Sequence, residues 1–164
     1  MINVQDELDR LSPKEKEEAL KILQEYATTG KSATMDKLLY EDYVEVPVDI
    51  HTFLHEEQYL GAALYDKEGR FTLYPFWEET LKQVFPTNID TDYHTVVLTG
   101  GIGIGKSTVA VIGMIYALYR MLCLKDPQIH YGLQNNELIS FVFVNMTLRE
   151  AKGVGWAKFH NYVL

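Results

Sequence analysis

Cysteine is almost absent from this chain of 164 residues, in which Cys123 is the single example. One cysteine excludes a disulfide framework and any zinc site of the Cys-x-x-Cys type, and it fits a reducing compartment. The N-terminus lacks a basic stretch followed by an apolar run, so we expect no signal peptide. These absences predict an intracellular protein.

A hydrophobic run long enough to cross a membrane is also missing. Residues 107–119 carry no charge, but these 13 residues are fewer than the roughly 20 that a transmembrane helix requires. The segment directly follows a predicted strand and turn, which favours burial between a sheet and other helices. We therefore expect no membrane partner.

Basic residues are scarce in the first half of this chain, and the net charge of all 164 residues is −8. Residues 1–92 hold nine basic and 20 acidic side chains, whereas residues 93–164 hold six basic and three acidic ones. Because contacts to phosphate groups need a basic patch, the acidic half is not expected to bind nucleic acid by itself. Together with the change of sequence pattern after Tyr93, this asymmetry predicts an acidic, mainly helical region over residues 1–92 and the first part of an α/β domain over residues 93–164.

Helix signals dominate the acidic region. Ser12 and Glu15 form a capping box with Pro13 at the first helical position, and Gly30 lies beyond the expected end of that helix. Further helices are predicted over Thr34–Tyr40, Thr52–Leu64 and Phe76–Phe85, with a short strand over Phe71–Tyr74.

The pattern changes after Tyr93. The runs His94–Thr99 and Leu138–Val144 predict two buried strands, each followed by a helix. This order predicts a parallel sheet with helices across its faces. Because two strands do not make an independent parallel sheet, we expect an incomplete fold that a longer protein or a partner completes.

A glycine-rich turn joins the first predicted strand to its helix. Residues 100–107, Gly-Gly-Ile-Gly-Ile-Gly-Lys-Ser, satisfy the phosphate-binding pattern G-x-x-x-x-G-K-[ST]. The glycines let the backbone curl so that its N–H groups point at phosphate oxygens, and the next helix directs its positive end at the same anion. The sequence therefore predicts a P-loop NTPase-type parallel sheet with flanking helices.

This motif also assigns roles to individual residues. Lys106 is placed to bridge the β- and γ-phosphates as the catalytic lysine, and the Ser107 hydroxyl is placed to bind Mg²⁺. ATP and Mg²⁺ are the predicted cofactors. The predicted nucleotide-binding residues are Gly100, Gly101, Ile102, Gly103, Ile104, Gly105, Lys106, Ser107 and Thr108.

Two weaker signals accompany the loop. Phe76 and Trp77 offer a stacking surface for the base, although aromatic residues at helical spacing are more often part of a core. Arg149 lies in the first turn of the last predicted helix, where a cation opposes the helix dipole. It is either a catalytic arginine that reaches a phosphate or a neighbouring subunit, or an ordinary surface residue.

A separate pattern places His51 and His55 four residues apart, a spacing that zinc ligands use. The metalloprotease pattern needs a glutamate after the first histidine, and Thr52 occupies that position. Since no third ligand stands out in the sequence, a partly exposed helical pair without a metal is the prediction.

The carboxylates of a working ATPase are missing from the expected places. After the loop, the acidic residues are Asp126, Glu137 and Glu150, and none follows an apolar strand. A P-loop ATPase needs such a residue to hold Mg²⁺ and another to position the attacking water. We therefore expect the 164 residues alone to be inactive and a longer chain to supply these groups.

The sequence resembles the N-terminal part of large terminase subunits, the ATP-driven DNA-packaging motors of tailed bacteriophages. The similarity covers about residues 40–164 and is carried by Tyr74–Trp77, Thr99–Thr108, Ile115–Leu124, Asp126-Pro127, Tyr131–Leu133 and Phe141–Asn145. It implies ATP hydrolysis that drives viral double-stranded DNA through a portal into a procapsid in the host cytoplasm. The implied partners are a small terminase subunit and further copies of the chain in a ring, and a nuclease domain is implied after the ATPase.

Two other functions stay open. The segment Leu98–Ala110 also looks like the opening of dephospho-coenzyme A kinases, which makes a P-loop small-molecule kinase the first alternative. The second alternative is a nucleotide-binding module without turnover.

Overall fold

The computed structural model describes residues 12–29, 40–89, 93–142, 144, 149 and 151–163. Most of the predicted helix over Thr34–Tyr40 lies outside them, as does Glu150. The chain forms two compact units, residues 1–43 and residues 44–164. The division predicted at residue 92 from charge lies within the second unit and stays a prediction.

In the first unit, helix α1 spans Pro13–Thr29. The amide of Lys16 donates to the carbonyl of Ser12 at 2.9 Å, which starts the helix where the proline was predicted to start it. Near the end of this unit, the rings of Tyr40 and Tyr43 meet edge to face with centroids 6.1 Å apart.

Short helices surround one long helix in the second unit. They are α2 (Ile50–His55), α3 (Gly61–Leu64), α4 (Pro75–Val84), α5 (Lys106–Leu122) and α6 (Pro127–His130), followed by a π-helical stretch (Ala151–Trp156) that continues into α7 (Ala157–Val163). Two separate helices thus replace the one predicted around Thr52–Leu64. They meet so closely that a Cβ atom on Gly61 would lie 2.5 Å from the carbonyl oxygen of His55, a position only glycine accommodates.

Helix α5 forms the centre of the core. Ile112 and Tyr116 are fully buried on it, against Leu54 of α2 and Leu64 of α3. This burial explains the absence of charge over residues 107–119 of α5. No helix in the described ranges is long and apolar enough to span a bilayer. The Tyr116 hydroxyl donates to the carbonyl of Val48 at 2.8 Å and so ties the segment before α2 to the core.

The predicted strands do not pair in the part of the chain that the structure describes. Residues 95–99 and 137–142 are irregular there, with Val97 77% and Leu138 90% exposed. An isolated antiparallel bridge joins Tyr65 to Phe71, in place of the predicted strand from Phe71 onward. The parallel sheet is therefore not confirmed, because a segment becomes a strand only where a second backbone shares its ladder of hydrogen bonds.

Candidate phosphate-binding site

The glycine-rich loop curls immediately before α5. Gly100, Gly103 and Gly105 have φ angles of 133°, 88° and 92°, in the region that side-chain-bearing residues rarely adopt. Gly105 is the residue that caps the N-terminus of α5, a helix of 17 residues. The predicted glycines thus produce a bend that leads directly into the positive end of a long helix.

Trp77 of α4 packs against this loop and donates a hydrogen bond to its backbone. Its indole Nε1 donates a hydrogen bond to the carbonyl oxygen of Ile104 at 2.5 Å, and its side chain is only 5% exposed. A Cβ atom on Gly105 would lie 3.3 Å from the same indole nitrogen, so the loop backbone rests directly on the ring. Trp77 therefore positions the loop, and the stacking of a base on Phe76 or Trp77 stays a prediction.

The side chain of Lys106 folds back onto the backbone of the loop. Its Nζ donates to the carbonyl oxygens of Gly100 at 2.9 Å and of Gly101 at 2.5 Å. These carbonyls hold the ammonium group beside the space that the loop encloses. Ser107 follows on the first turn of α5 and is exposed, so its hydroxyl is accessible to a ligand.

A cavity of about 390 Å³ opens at this loop. Its lining contains the two cations Lys106 and Lys158 and no carboxylate, among the residues that the structure describes there: Ile102, Gly103, Gly105, Lys106, Ser107, Thr108 and Lys158. Two ammonium groups, two hydroxyls and a helix N-terminus form a donor set that suits a polyphosphate.

Lys158 is a site residue that the sequence did not single out. Its Nζ donates to the Thr108 hydroxyl at 2.7 Å, across a separation of 50 residues. Helix α7 packs against α5 and brings the lysine there. No local pattern around Lys158 distinguishes it from the other lysines, so only the tertiary structure could reveal it.

Phe76 lies beside a second cavity, of about 330 Å³, next to the loop. Its ring is 70% exposed and meets Trp77 edge to face at 4.9 Å. Such a ring is free on one side for a flat apolar ligand. The cavity is lined by Phe76, Trp77, Glu79, Thr80, Gln83, Val97, Leu98 and Thr99.

The remaining candidates lie elsewhere. Arg149 is exposed, and its catalytic role stays a prediction. Asp126 caps α6 by accepting from the amide of Ile129 at 3.2 Å, and Glu137 accepts from the amide of Gln134 at 2.9 Å. Both of these carboxylates therefore stabilise local turns.

Burial raises the pKa of the Cys123 thiol, which agrees with its predicted packing role.

Glu78 of α4 joins the predicted histidine pair. Its carboxylate Oε1 lies 3.1 Å from Nδ1 of His51 and 3.2 Å from Nε2 of His55. Burial alone raises the pKa of Glu78, but hydrogen bonds from Lys82 and the two histidines outweigh it and hold the pKa at about 2. The sequence could not indicate this partner, because 23 residues separate it from His55.

Comparison with known proteins gives a family and little else. No curated protein and no solved structure matches the chain. One family model matches residues 7–164, nearly the whole length, and the glycine-rich loop is the feature that its description leads one to expect. The chain belongs to the family described as "Uncharacterized protein MJ0330, N-terminal P-loop domain".

Proposed function

We propose that this chain binds ATP with Mg²⁺ at the loop formed by residues 100–105 and the first turn of α5. The observation that carries the proposal is the cavity at the loop, where two lysines and the N-terminus of α5 converge without an opposing carboxylate among its described lining residues. A nucleoside triphosphate carries the complementary charge and length. Membership of a P-loop family supports nucleotide binding at the same loop.

Phosphate binding requires the Lys106 side chain to change its hydrogen-bond partners. Lys106 leaves the carbonyl oxygens of Gly100 and Gly101 and donates to the β- and γ-phosphates instead. Loop N–H groups of residues 101–107 surround the phosphates, and Ser107 supplies a hydroxyl ligand to Mg²⁺, which takes its other ligands from phosphate and water. Lys158 adds a second ammonium group at the Thr108 side.

The base occupies the cavity beside Phe76 in this proposal. An exposed aromatic ring next to a phosphate loop offers a face on which adenine stacks. Changing Phe76 to Ala should weaken binding of ATP and leave binding of inorganic tripolyphosphate unchanged. Tyr74→Ala is the matched control, because Tyr74 is a comparably exposed aromatic residue outside the lining of that cavity.

Turnover is proposed separately from binding. Asp126 and Glu137 are used in local turns, so neither is assigned as the Mg²⁺ ligand or as the base that activates water. We propose that the 164 residues bind ATP and hydrolyse it slowly or not at all. Fast hydrolysis requires one further carboxylate to hold Mg²⁺ and another group to position the attacking water.

A more specific proposal is that this ATP site belongs to a motor that packages viral DNA. It rests on the sequence resemblance to large terminase subunits over about residues 40–164, and the family match carries no information on DNA or capsids. The partners proposed with it are a portal, a small terminase subunit and further copies of the chain. Arg149 is proposed to reach the phosphate of a neighbouring copy.

Calorimetric titration with ATP, ADP and adenosine, each with Mg²⁺, tests the binding proposal. We expect affinity to rise with the number of phosphates and adenosine to bind weakly. Equal binding of adenosine and ATP would place the ligand away from the loop and overturn the proposal.

A hydrolysis assay with and without double-stranded DNA, on a longer chain that supplies the further carboxylates, tests the more specific proposal. Stimulation by DNA supports the motor, whereas transfer of the γ-phosphate to a small molecule supports the kinase alternative. Binding without any turnover, with or without DNA, would favour a nucleotide-binding module.

A further inference from the structure

The two histidines of α2 face the first turn of α4 across a short gap. A ring nitrogen of His51, a ring nitrogen of His55 and a carboxylate oxygen of Glu78 lie within 4.8 Å of one another. Their side chains range from 58% exposed for His51 to 24% for His55 and 16% for Glu78. We refer to these three residues as the histidine cluster. It lies outside the lining of the phosphate cavity.

We propose that the histidine cluster is a binding site for a divalent transition-metal ion, with Zn²⁺ as the best-suited ion. Two imidazole nitrogens and one carboxylate oxygen are a ligand set that zinc uses, with water in the fourth position. The exposure of His51 leaves that fourth position open to solvent. This ion is distinct from the Mg²⁺ of the nucleotide, because Mg²⁺ prefers oxygen ligands.

The spacing of the ligand atoms fits a metal ion after small movements of the side chains. Ligands about 2.0–2.1 Å from a tetrahedral zinc ion are separated from one another by roughly 3.4 Å. The nitrogen-to-oxygen distances in the cluster are 3.1 and 3.2 Å. Without metal, protons on the imidazoles fill these contacts as hydrogen bonds to Glu78. Metal binding moves each of these protons to the other ring nitrogen of its imidazole. It opens each contact to Glu78 by a few tenths of an ångström and draws the two histidine nitrogens, which lie within 4.8 Å of one another, closer together.

A second shell already orients His55. Its other ring nitrogen, Nδ1, lies 2.6 Å from the hydroxyl oxygen of Tyr65. The His55 ring also stacks on Phe71, with centroids 4.3 Å apart and an angle of 27° between the planes. Tyr65 and Phe71 are joined by a β-bridge, so both supports are held in place. A metal ion on Nε2 leaves the imidazole proton on Nδ1, which then donates to the Tyr65 hydroxyl oxygen and fixes the orientation of the ring.

Lys82 competes with a metal ion for Glu78. Its Nζ lies 2.8 Å from the same carboxylate oxygen that faces the histidines. The Lys82 side chain is 38% exposed, so its ammonium group can turn into solvent when a metal ion neutralises the carboxylate. Metal binding thus exchanges the Lys82 ammonium group for a metal ion at Glu78, and the carboxylate keeps a cationic partner throughout.

Calorimetric titration of the nucleotide-free, untagged chain with Zn²⁺ tests the proposal. We expect saturable binding of one ion per chain. His51→Gln and His55→Gln should each weaken binding by at least about tenfold, and Tyr65→Phe should weaken it by about tenfold through the second shell. His94→Gln is the matched control and should bind as the unmodified chain does, because His94 is an exposed histidine outside the cluster.

Titration with Co²⁺ provides an independent readout of the ligand geometry. The visible absorption bands of a four-coordinate ion should appear at one equivalent and disappear in His51→Gln. Because His51 is exposed, this variant should keep the fold, which far-UV circular dichroism verifies. Zinc binding that survives both histidine substitutions, or that an excess of Mg²⁺ abolishes, would overturn the proposal. Absence of saturable binding by the folded chain would overturn it too.

Discussion

The loop of residues 100–105 and the histidine cluster are both held by α4, yet they are built from different parts of the chain. The loop uses consecutive residues and offers mainly backbone groups, with Trp77 of α4 beneath it. The cluster uses three side chains from two helices, with Glu78 of α4 at its centre. A backbone site can be recognised from a short pattern, whereas a side-chain site depends on how helices pack.

Neighbouring residues of one helix thus serve both sites. Side chains at consecutive helical positions point about 100° apart, so Trp77 and Glu78 face different surroundings. Trp77 is 5% exposed and reaches the loop, while the Glu78 side chain is 16% exposed and reaches the histidines. This difference in direction leads us to expect two sites that share a support but act independently.

The largest effect should come from Lys106→Ala. Removing the ammonium group takes away charge-assisted hydrogen bonds to phosphate, so affinity for ATP should fall by about 100-fold. Displacement of a fluorescent ATP analogue measures this change. Lys152→Ala, which removes an exposed lysine outside the cavity lining, should have no effect. Zinc affinity should be the same in both variants, and a parallel loss of zinc binding would contradict the separation of the sites.

Gly105→Ala should damage the loop through its backbone. The φ angle of 92° disfavours any residue with a Cβ atom, and that atom would also approach the Trp77 indole at 3.3 Å. We expect unfolding in urea to become easier by about 1–2 kcal/mol. Gly153→Ala is the matched control, since a Cβ atom there meets nothing within 4 Å. Equal stability of the two variants would mean that the loop backbone is not constrained as described.

Trp77→Phe should separate the hydrogen bond that positions the loop from the packing of the buried ring. The ring stays apolar and buried, but the donor to the Ile104 carbonyl is lost, at a cost of about 1 kcal/mol in stability. We also expect weaker ATP binding, because the loop loses its support. Trp156→Phe serves as control and leaves Trp77 as the single tryptophan, whose fluorescence should respond to ATP. Unchanged fluorescence on saturation would argue against contact between Trp77 and the nucleotide loop.

Lys158→Ala should have a smaller effect than Lys106→Ala. Lys158 contributes a second cation from a partly exposed position on α7, so a decrease of about fivefold in ATP affinity is expected. Competition binding at low and high salt measures it, and added salt should reduce the difference. An effect as large as that of Lys106→Ala would make Lys158 a primary phosphate ligand.

The smallest effect should be that of Glu78→Gln on ATP binding. The substitution removes the carboxylate at the centre of the histidine cluster and leaves the neighbouring Trp77 contact intact. ATP affinity should therefore change by less than about twofold, well below the coupling that linked sites usually show. The same variant should lose most of its zinc affinity. A large loss of ATP affinity would show that α4 couples the two sites.

Several elements could be predicted from sequence because their signals are local. Pro13 fixes the start of α1, and the uncharged run over residues 107–119 predicts the buried helix α5. The loop pattern correctly places a tight backbone bend before that helix. Each of these features depends on residues within a few positions of one another.

Other expectations failed or stayed open because they depend on distant partners. The apolar runs around Val97 and Leu138 resemble strands, but a strand requires another backbone beside it, and none pairs with them in the described ranges. Gly61 illustrates a second limit, since its close approach to His55 where two helices replace one predicted helix is a contact that the sequence does not reveal.

The sequence by itself determined the phosphate loop, since the pattern of glycines, one lysine and one serine specifies the backbone path and the charge at once. Only the tertiary structure decided which remote side chains lie at the loop and which form a separate cluster. Packing of α7 on α5 brings Lys158 to Thr108, and packing of α2 on α4 brings His51 and His55 to Glu78. The physical reason is that backbone geometry follows from local sterics, whereas contacts between remote side chains follow from burial of the whole core.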